Sequence, residues 1–256
     1  MTETIVFFHA HPDDEAIFTG GSMALLADRG FDVVLVVATA GEAGAAHATD
    51  GSGDELGELR RNETWDAARR LGLADVRFLG YGDSGMEGHA PDGFAAAAVE
   101  EAGDRLGELL ADLGPQSLVI YDEGGIYEHP DHVQVHRVGH VAAARLPVET
   151  VYECTVDREY LHFVESHLVV QAALPHRPET LGLAATTLGS ATVEIDVAVD
   201  VAAVLERKRE AMAAHGSQIP ESSLALQLPG ASFSAVYGLE WYCRVGPPGP
   251  LDGLST

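Results

Sequence analysis

Ile5-Val6-Phe7-Phe8-His9-Ala10-His11-Pro12-Asp13-Asp14-Glu15 runs directly from an apolar stretch into a cluster of imidazoles and carboxylates. Residues 5–8 are short, β-branched and aromatic, so they read as a buried strand. The polar cluster at the end of that strand reads as the mouth of a site, because open α/β sheets bind ligands beyond the carboxyl ends of their strands. The arrangement occurs twice. Leu118–Tyr121 is a second apolar strand, and His129-Pro130-Asp131-His132 comes shortly after it.

Strands and helices alternate on either side of these segments. Asp32–Ala38 and Val76–Leu79 read as strands, and Val151–Cys154 as a further one. The run 32–38 is apolar enough to be covered on both faces, as in a parallel sheet. Gly20–Arg29 reads as a helix ended by Gly30, and Asp54–Leu71 as one ended by Gly72. Gly93–Leu113 and Asp131–Ala144 complete the set. Strand–helix–strand repetition implies an α/β fold: a Rossmann-like, mainly parallel sheet with right-handed crossovers, flanked by helices. Residues 40–53 and 174–178 read as loops. Beyond residue 155 the pattern weakens. Ala191–Val199 alternates like an exposed strand. Val201–His215 reads as an amphipathic helix with Glu206, Arg207, Lys208, Arg209 and Glu210 on its wet face, and the tail from Gly246 reads as loose. The organisation expected is residues 1–155 as the Rossmann-like part and residues 156–256 as a smaller α+β portion completing the same unit and its pocket.

Composition excludes several functions. The 256-residue chain carries a formal charge of -25, with 40 acidic against 15 basic residues, and Lys208 is its one lysine. Such a surface repels phosphate backbones, so nucleic acid is not a partner, and it disfavours anionic membranes. No apolar run approaches the roughly 20 residues of a membrane span. The N-terminal stretch lacks the basic region of a signal peptide. Cys154 and Cys243 are far apart and read as free buried thiols. A soluble cytoplasmic protein is expected, and a homo-oligomer is compatible with it. The fingerprints of dinucleotide sites, phosphate loops and nucleophile elbows are absent.

The two clusters carry the chemistry. His11 and Asp14 are three residues apart across the turn set by Pro12, which can aim both at one point. Zn²⁺ takes imidazole nitrogen and carboxylate oxygen, and catalytic sites use three protein ligands with one position open. His132 can supply the third. His129 and His132 open a helix and can share a face, with Asp131 between them and Tyr127 in reach. Helix capping explains acids at one strand end. It does not explain two His/Asp clusters at two strand ends.

With the segments Gly20-Gly21, Thr39-Ala-Gly-Glu42-Ala-Gly44, Arg60-Arg-Asn-Glu63, Asp83-Ser-Gly-Met86 and Lys208 through His215-Gly-Ser217-Gln218, these clusters resemble the LmbE-like (PIG-L) zinc de-N-acetylases over roughly residues 3–220. The resemblance implies His11, Asp14 and His132 as zinc ligands and Asp13 as the general base. It implies His129 as the oxyanion stabiliser, Asp131 as the carboxylate orienting it, and Tyr127 as a group polarising the carbonyl. Arg60 and Asp83 match sugar-contacting positions. Spacing alone does not decide which of Asp13 and Asp14 binds metal. Glu128 departs from the family, where many members carry glycine, and so bears on the loop holding Tyr127 and His129.

The function expected is a Zn²⁺-dependent hydrolase that removes an N-acetyl group from an N-acetylglucosaminyl conjugate, releasing acetate and an amino sugar. Fe²⁺ fits the same ligands. One rival is an amidase cutting a larger acyl group, as in mycothiol-conjugate amidases, which the Asp83-Ser-Gly-Met86 match fits equally. Another is a non-catalytic sugar-binding protein, which would have no use for a base at Asp13. The negative charge favours a small, neutral or weakly charged amino-sugar conjugate over a phospholipid.

Overall fold

The computed structural model describes residues 3–44, 53–88, 90–164 and 188–255. Five strands run parallel: β1 (Thr4–His9), β2 (Asp32–Thr39), β3 (Asp75–Tyr81), β4 (Ser117–Tyr121) and β5 (Thr150–Thr155). Two more, β6 (Val197–Asp200) and β7 (Leu239–Val245), join at the β5 edge, β7 antiparallel to both its neighbours. The described residues form one sheet in the order β3-β2-β1-β4-β5-β7-β6. The chain is thus mixed α/β, as the alternation implies. Strands of this order reverse their winding between β1 and β4, where a crevice opens at the carboxyl ends. Both His/Asp segments lie there.

β-branched and aromatic residues let the central strands be covered on both faces; every residue of β1 is buried, with Ile5 in register with Val33 of β2 and Val6 with Leu118 of β4. Helices α1 (Gly20–Asp28) and α2 (Gly53–Leu71) connect the first three strands, and α3 (Val99–Leu110) leads to β4. A single turn, α4 (Gly125–Glu128), precedes α5 (Pro130–Ala143), and α6 (Arg158–Val164) comes after β5. Helices α7 (Leu205–Ala214), α8 (Leu224–Gln227) and α9 (Gly230–Tyr237) lie between β6 and β7. Val197, Met212, Phe233 and Tyr242 belong to the same core cluster as β1 and β2. At residue 155 it is strand direction that changes, from parallel to antiparallel.

Four expectations are corrected. Lys208 is not on a wet face: it is 1% exposed, and its Nζ donates to Glu240 Oε1 at 2.7 Å. Glu240 also accepts the N–H groups of Gly21 and Ser22 at 2.8 Å each, so a buried ion pair caps the start of α1. Gly21 is needed there, since a Cβ would lie 2.4 Å from Val201. The helix expected over 93–113 is broken into a 3-10 turn at Phe94–Ala96 and α3, because Phe94 is buried against Phe8 and Ala95 N–H is tied to Asp131. In the stretch 191–199 only Val197 onward is strand; Thr192 is held in a turn by Asp157 and Glu159. The tail is not loose: Leu251 and Leu254 are buried, and Tyr152 donates to Asp252 at 2.6 Å. Residues 174–178 and most of the loop 40–53 lie outside the described residues.

Candidate metal centre

The first segment leaves β1 through a strained turn. Asp13 has φ of 102°, a region L residues other than Asn and Asp rarely enter. Its carbonyl accepts the N–H groups of Ala16 and Ile17 at 3.1 Å, starting the π-helical turn Glu15–Thr19. Its own N–H donates to Glu15 Oε2 at 3.0 Å, and the other Glu15 oxygen meets His215 Nε2 at 2.6 Å, with both side chains fully buried. Burial opposes a charge on Glu15, but His215 beside it holds the carboxyl below its ordinary range. Burial likewise opposes a charge on His215, and Glu15 raises it nonetheless. Glu15 is therefore committed to a pair and is not an alternative base.

The Asp14 side chain turns inward. Its Oδ2 lies 3.3 Å from His11 Nδ1 and 3.3 Å from His132 Nε2. Burial would raise its pKa, but His132 and His11 around it hold it well below the carboxylate range. Asp14 Oδ2 thus stands from each ring nitrogen at a spacing that two ligands of one divalent ion can have, and one donor atom from each of His11, His132 and His129 also lies within 4.8 Å of the others. Tetrahedral ligands at about 2.0–2.2 Å from zinc stand about 3.3–3.5 Å apart, and the set is N, O, N. The second His11 nitrogen, Nε2, meets Asp131 Oδ2 at 3.1 Å and Asp83 Oδ1 at 3.6 Å. A carboxylate on the far nitrogen is how metal-binding imidazoles are generally oriented.

Asp131 is thus directed differently from what the resemblance implies. Its carboxylate faces His11 and accepts the N–H groups of Ser84 and Ala95 at 3.0 and 2.9 Å; it does not orient the His129 ring. His129 Nδ1 accepts instead from the Asp131 backbone N–H at 3.2 Å, so in the neutral ring the proton sits on Nε2. Burial, then the His11 and His132 rings, bring His129 down to about 4, which keeps it neutral. The turn before it is strained as well: Ile126 and Glu128 both have φ of 64°. That conformation explains why glycine suits position 128. Asp122 holds the turn, its Oδ1 accepting Ile126 N–H at 2.8 Å. Tyr127 OH lies 3.3 Å from His132 Nε2, and burial together with Asp14 raises its pKa, so it is a phenol donor.

Asp13, Arg60, Asp83, Met86, Tyr127 and His129 line, with His11 and Asp14, an open cavity of about 170 Å³. Asp131 and His132 sit behind this wall, fully buried. The Asp13 side chain keeps 18% exposure and lies 3.3 Å from Arg60 Nη2; burial, opposed by Arg60 and reinforced by Asp14, pushes it up to about 7. Arg60 does not pair with Glu63. It is buried, donates to the Gly41 carbonyl at 2.7 Å and to that of Pro12, and occupies the space a Cβ at Gly41 would need. Glu63 instead accepts from Ser217 N–H at 2.8 Å and Oγ at 2.6 Å, locking the segment that carries His215. Asp83 Oδ1 accepts Gly85 N–H at 2.8 Å, and its own N–H donates to Glu42 Oε1 at 2.9 Å. Burial opposes its charge, but the His11 hydrogen bond and charge bring Asp83 to about 2. Sequence reasoning assigned no part in the site to Asp122, Glu42 or His215. For His215 a signal existed, the segment His215-Gly-Ser217-Gln218.

Residues 6–143 match the family described as PIG-L, GlcNAc-PI de-N-acetylase. The chain belongs to the PIG-L family. It is 37% identical over 271 residues to a 1D-myo-inositol 2-acetamido-2-deoxy-alpha-D-glucopyranoside deacetylase of Salinispora arenicola, covering 97% of this chain and 87% of that protein. A protein of the same name from Thermobifida fusca is 33% identical over 98% of this chain and 97% of its own. Among solved structures, the N,N'-diacetylchitobiose deacetylase of Pyrococcus horikoshii superposes with a TM-score of 0.59 at 22% identity, over 95% of this chain and 84% of that one. The 4-carboxy-2-hydroxymuconate hydratase GalB of Pseudomonas putida gives 0.62 at 18%, over 97% and 98%. The solved structures that share this fold thus include a hydratase, so the fold alone does not fix the reaction. The family and its full-length relatives do make this chain a deacetylase, a hydrolase acting on an amide.

Proposed function

We propose that this PIG-L protein is a Zn²⁺-dependent deacetylase of N-acetylglucosamine linked to inositol, yielding acetate and the free amine. The observation carrying the reading is Asp14 Oδ2 standing 3.3 Å from both His11 Nδ1 and His132 Nε2, with Asp13 beside it on the cavity wall. Two inositol-glucosaminide deacetylases similar along nearly the whole chain support the substrate. Zn²⁺ is the first choice for two imidazoles and a carboxylate, with Fe²⁺ second.

His11, Asp14 and His132 would hold the ion, which when bound would supply Lewis acidity at the carbonyl and acidify water. Asp13 takes the proton of the attacking water as its oxygen bonds to the acyl carbon; a carboxyl brought near neutrality by its surroundings suits that work. The Nε2–H of neutral His129 donates to the developing oxyanion, and the Tyr127 phenol is a second donor. The C–N bond then breaks, and Asp13 returns its proton to the leaving amine. Arg60 orients Asp13, and Asp83, on the cavity wall with its Oδ2 also accepting Ala43 N–H at 3.3 Å, offers its remaining lone pairs to sugar hydroxyls.

Among the described residues no helix is long and apolar enough to cross a membrane. The -25 charge supports an inositol-linked sugar over a phospholipid-linked one. Cys154 and Cys243, both free, accord with a cytoplasmic enzyme. Acetate release tests the reading with inositol-linked N-acetylglucosamine, its phosphatidylinositol analogue, free N-acetylglucosamine and a long-chain acyl analogue. Preference for the first is expected. Preference for the phospholipid overturns the substrate, and preference for the long acyl group makes the protein an amidase of another kind.

A further inference from the structure

His132, His136 and His140 recur at every fourth position of α5, so they stand in one row, each about 6 Å farther along the axis. His132 belongs to the metal centre. The other two have no part in the deacetylation chemistry. They meet Glu153 of β5 instead. His140 Nε2 lies 2.7 Å from Glu153 Oε1, and His136 Nδ1 lies 3.6 Å from the same oxygen. The two rings are 4.7 Å apart. One donor atom from each of the three residues falls within 4.8 Å of the others.

Three features make this more than a hydrogen bond. Histidines four apart on a helix, facing a carboxylate from a neighbouring strand, supply two nitrogens and one oxygen from rigid elements. The side chains are partly open to solvent, at 34% for His140, 17% for His136 and 16% for Glu153, which leaves room for an entering ion and its water. His136 Nδ1 is 3.0 Å from the Tyr121 carbonyl. Donation to that carbonyl puts the proton on Nδ1, so the atom His136 offers an ion is Nε2 and not the Nδ1 that stands 3.6 Å from Glu153; a backbone partner on the far nitrogen is the orientation metal-binding imidazoles generally receive.

We propose that His136, His140 and Glu153 form a second divalent transition-metal site, separate from the centre at His11, Asp14 and His132. Two imidazoles and a carboxylate select Zn²⁺, Cu²⁺ or Ni²⁺ over Ca²⁺ or Mg²⁺. The site is more open than the first, so it fills second.

The full-length protein carrying one Zn²⁺ per chain is titrated with further Zn²⁺ by calorimetry. A second equivalent is expected in the wild type. His140→Gln keeps a donor for Glu153 and so the fold, and it should lose that equivalent. Glu153→Gln should weaken it at least about tenfold. His132→Ala should lose the first equivalent and keep the second. Ring proton resonances of His136 and His140 should move on the second addition and not on the first. A wild type that takes no second equivalent overturns the proposal, as does a His140→Gln protein that takes it with wild-type affinity.

Discussion

Replacing Asp13 tests the reaction at its decisive proton transfer, and the structure dictates the replacement. Asp13 occupies φ of 102°. Alanine there would add backbone strain of about 1–2 kcal/mol to the loss of the carboxylate, mixing two effects. Asparagine tolerates the conformation, leaves the backbone N–H on Glu15, and still offers an oxygen to Arg60, 3.3 Å from the present carboxylate. Asp13→Asn therefore removes one property, the capacity to take a proton. General-base catalysis contributes about 10²–10⁴ in rate, equivalent to about 2.7–5.4 kcal/mol. Single-turnover acetate release should fall by that factor, while metal content and substrate affinity stay at wild-type values. The base works only when ionised, so wild-type activity should decline as pH falls through its pKa. Its surroundings push that value up to about 7, and a bound cation pulls it down. The Asn variant should lack this acid limb. Turnover within about fivefold of wild type at full metal occupancy would refute the assignment.

Three further outcomes are expected. His132→Ala should cut bound metal at the first site to near zero by elemental analysis of the singly loaded protein; full occupancy with normal activity removes His132 from the ligand set. Lys208→Met leaves Glu240 buried without its counter-charge and should cost about 3–5 kcal/mol; this is about 6–20 °C in Tm for a chain of this size, and a shift typical of a surface residue would sink the reading. Glu128→Gly relieves an L residue at φ of 64°, a gain of about 1–2 kcal/mol partly offset by about 0.5–1 kcal/mol of chain entropy; denaturant titration should show a small net stabilisation, and a clear loss of stability would mean Glu128 makes contacts that matter more than its strain.

What was legible in the sequence is what is contiguous in it. The strands β1 and β2 show as apolar runs because both their faces are covered. The two metal-centre segments show because each packs its functional groups into a few residues after a strand. Lys208 on α7 is hard to place from sequence because helical periodicity marks a polar stripe but not its partner; Glu240 lies 32 residues onward in β7. The bond between Glu15 and His215 spans 200 positions and leaves no periodic trace. Asp131 was misdirected for a related reason. Two residues from His129, it is that ring's orienter by the family resemblance, yet the start of α5 turns its side chain toward His11, Ser84 and Ala95.

Backbone strain connects these hidden partners to the chemistry. Among the described residues, the non-glycine positions with positive φ are Asp13, Ile126 and Glu128, all within the turns that bear Asp13, Tyr127 and His129, the residues proposed as base, phenol donor and oxyanion donor. Such conformations cost of order 1–3 kcal/mol each and persist only where surroundings over-determine them. Here the clamp takes the same form twice. Glu15 accepts the Asp13 N–H with its other oxygen fixed by His215, and Asp122 accepts the Ile126 N–H with its other oxygen fixed by Thr155 at 2.5 Å. Each clamp joins a site turn to a distant part of the chain, His215 after α7 in one case and the end of β5 in the other. The chain beyond the two His/Asp segments therefore does more than complete the sheet. By holding two unfavourable turns in place, it sets where Asp13 and Tyr127 stand relative to the cluster of His11, Asp14 and His132.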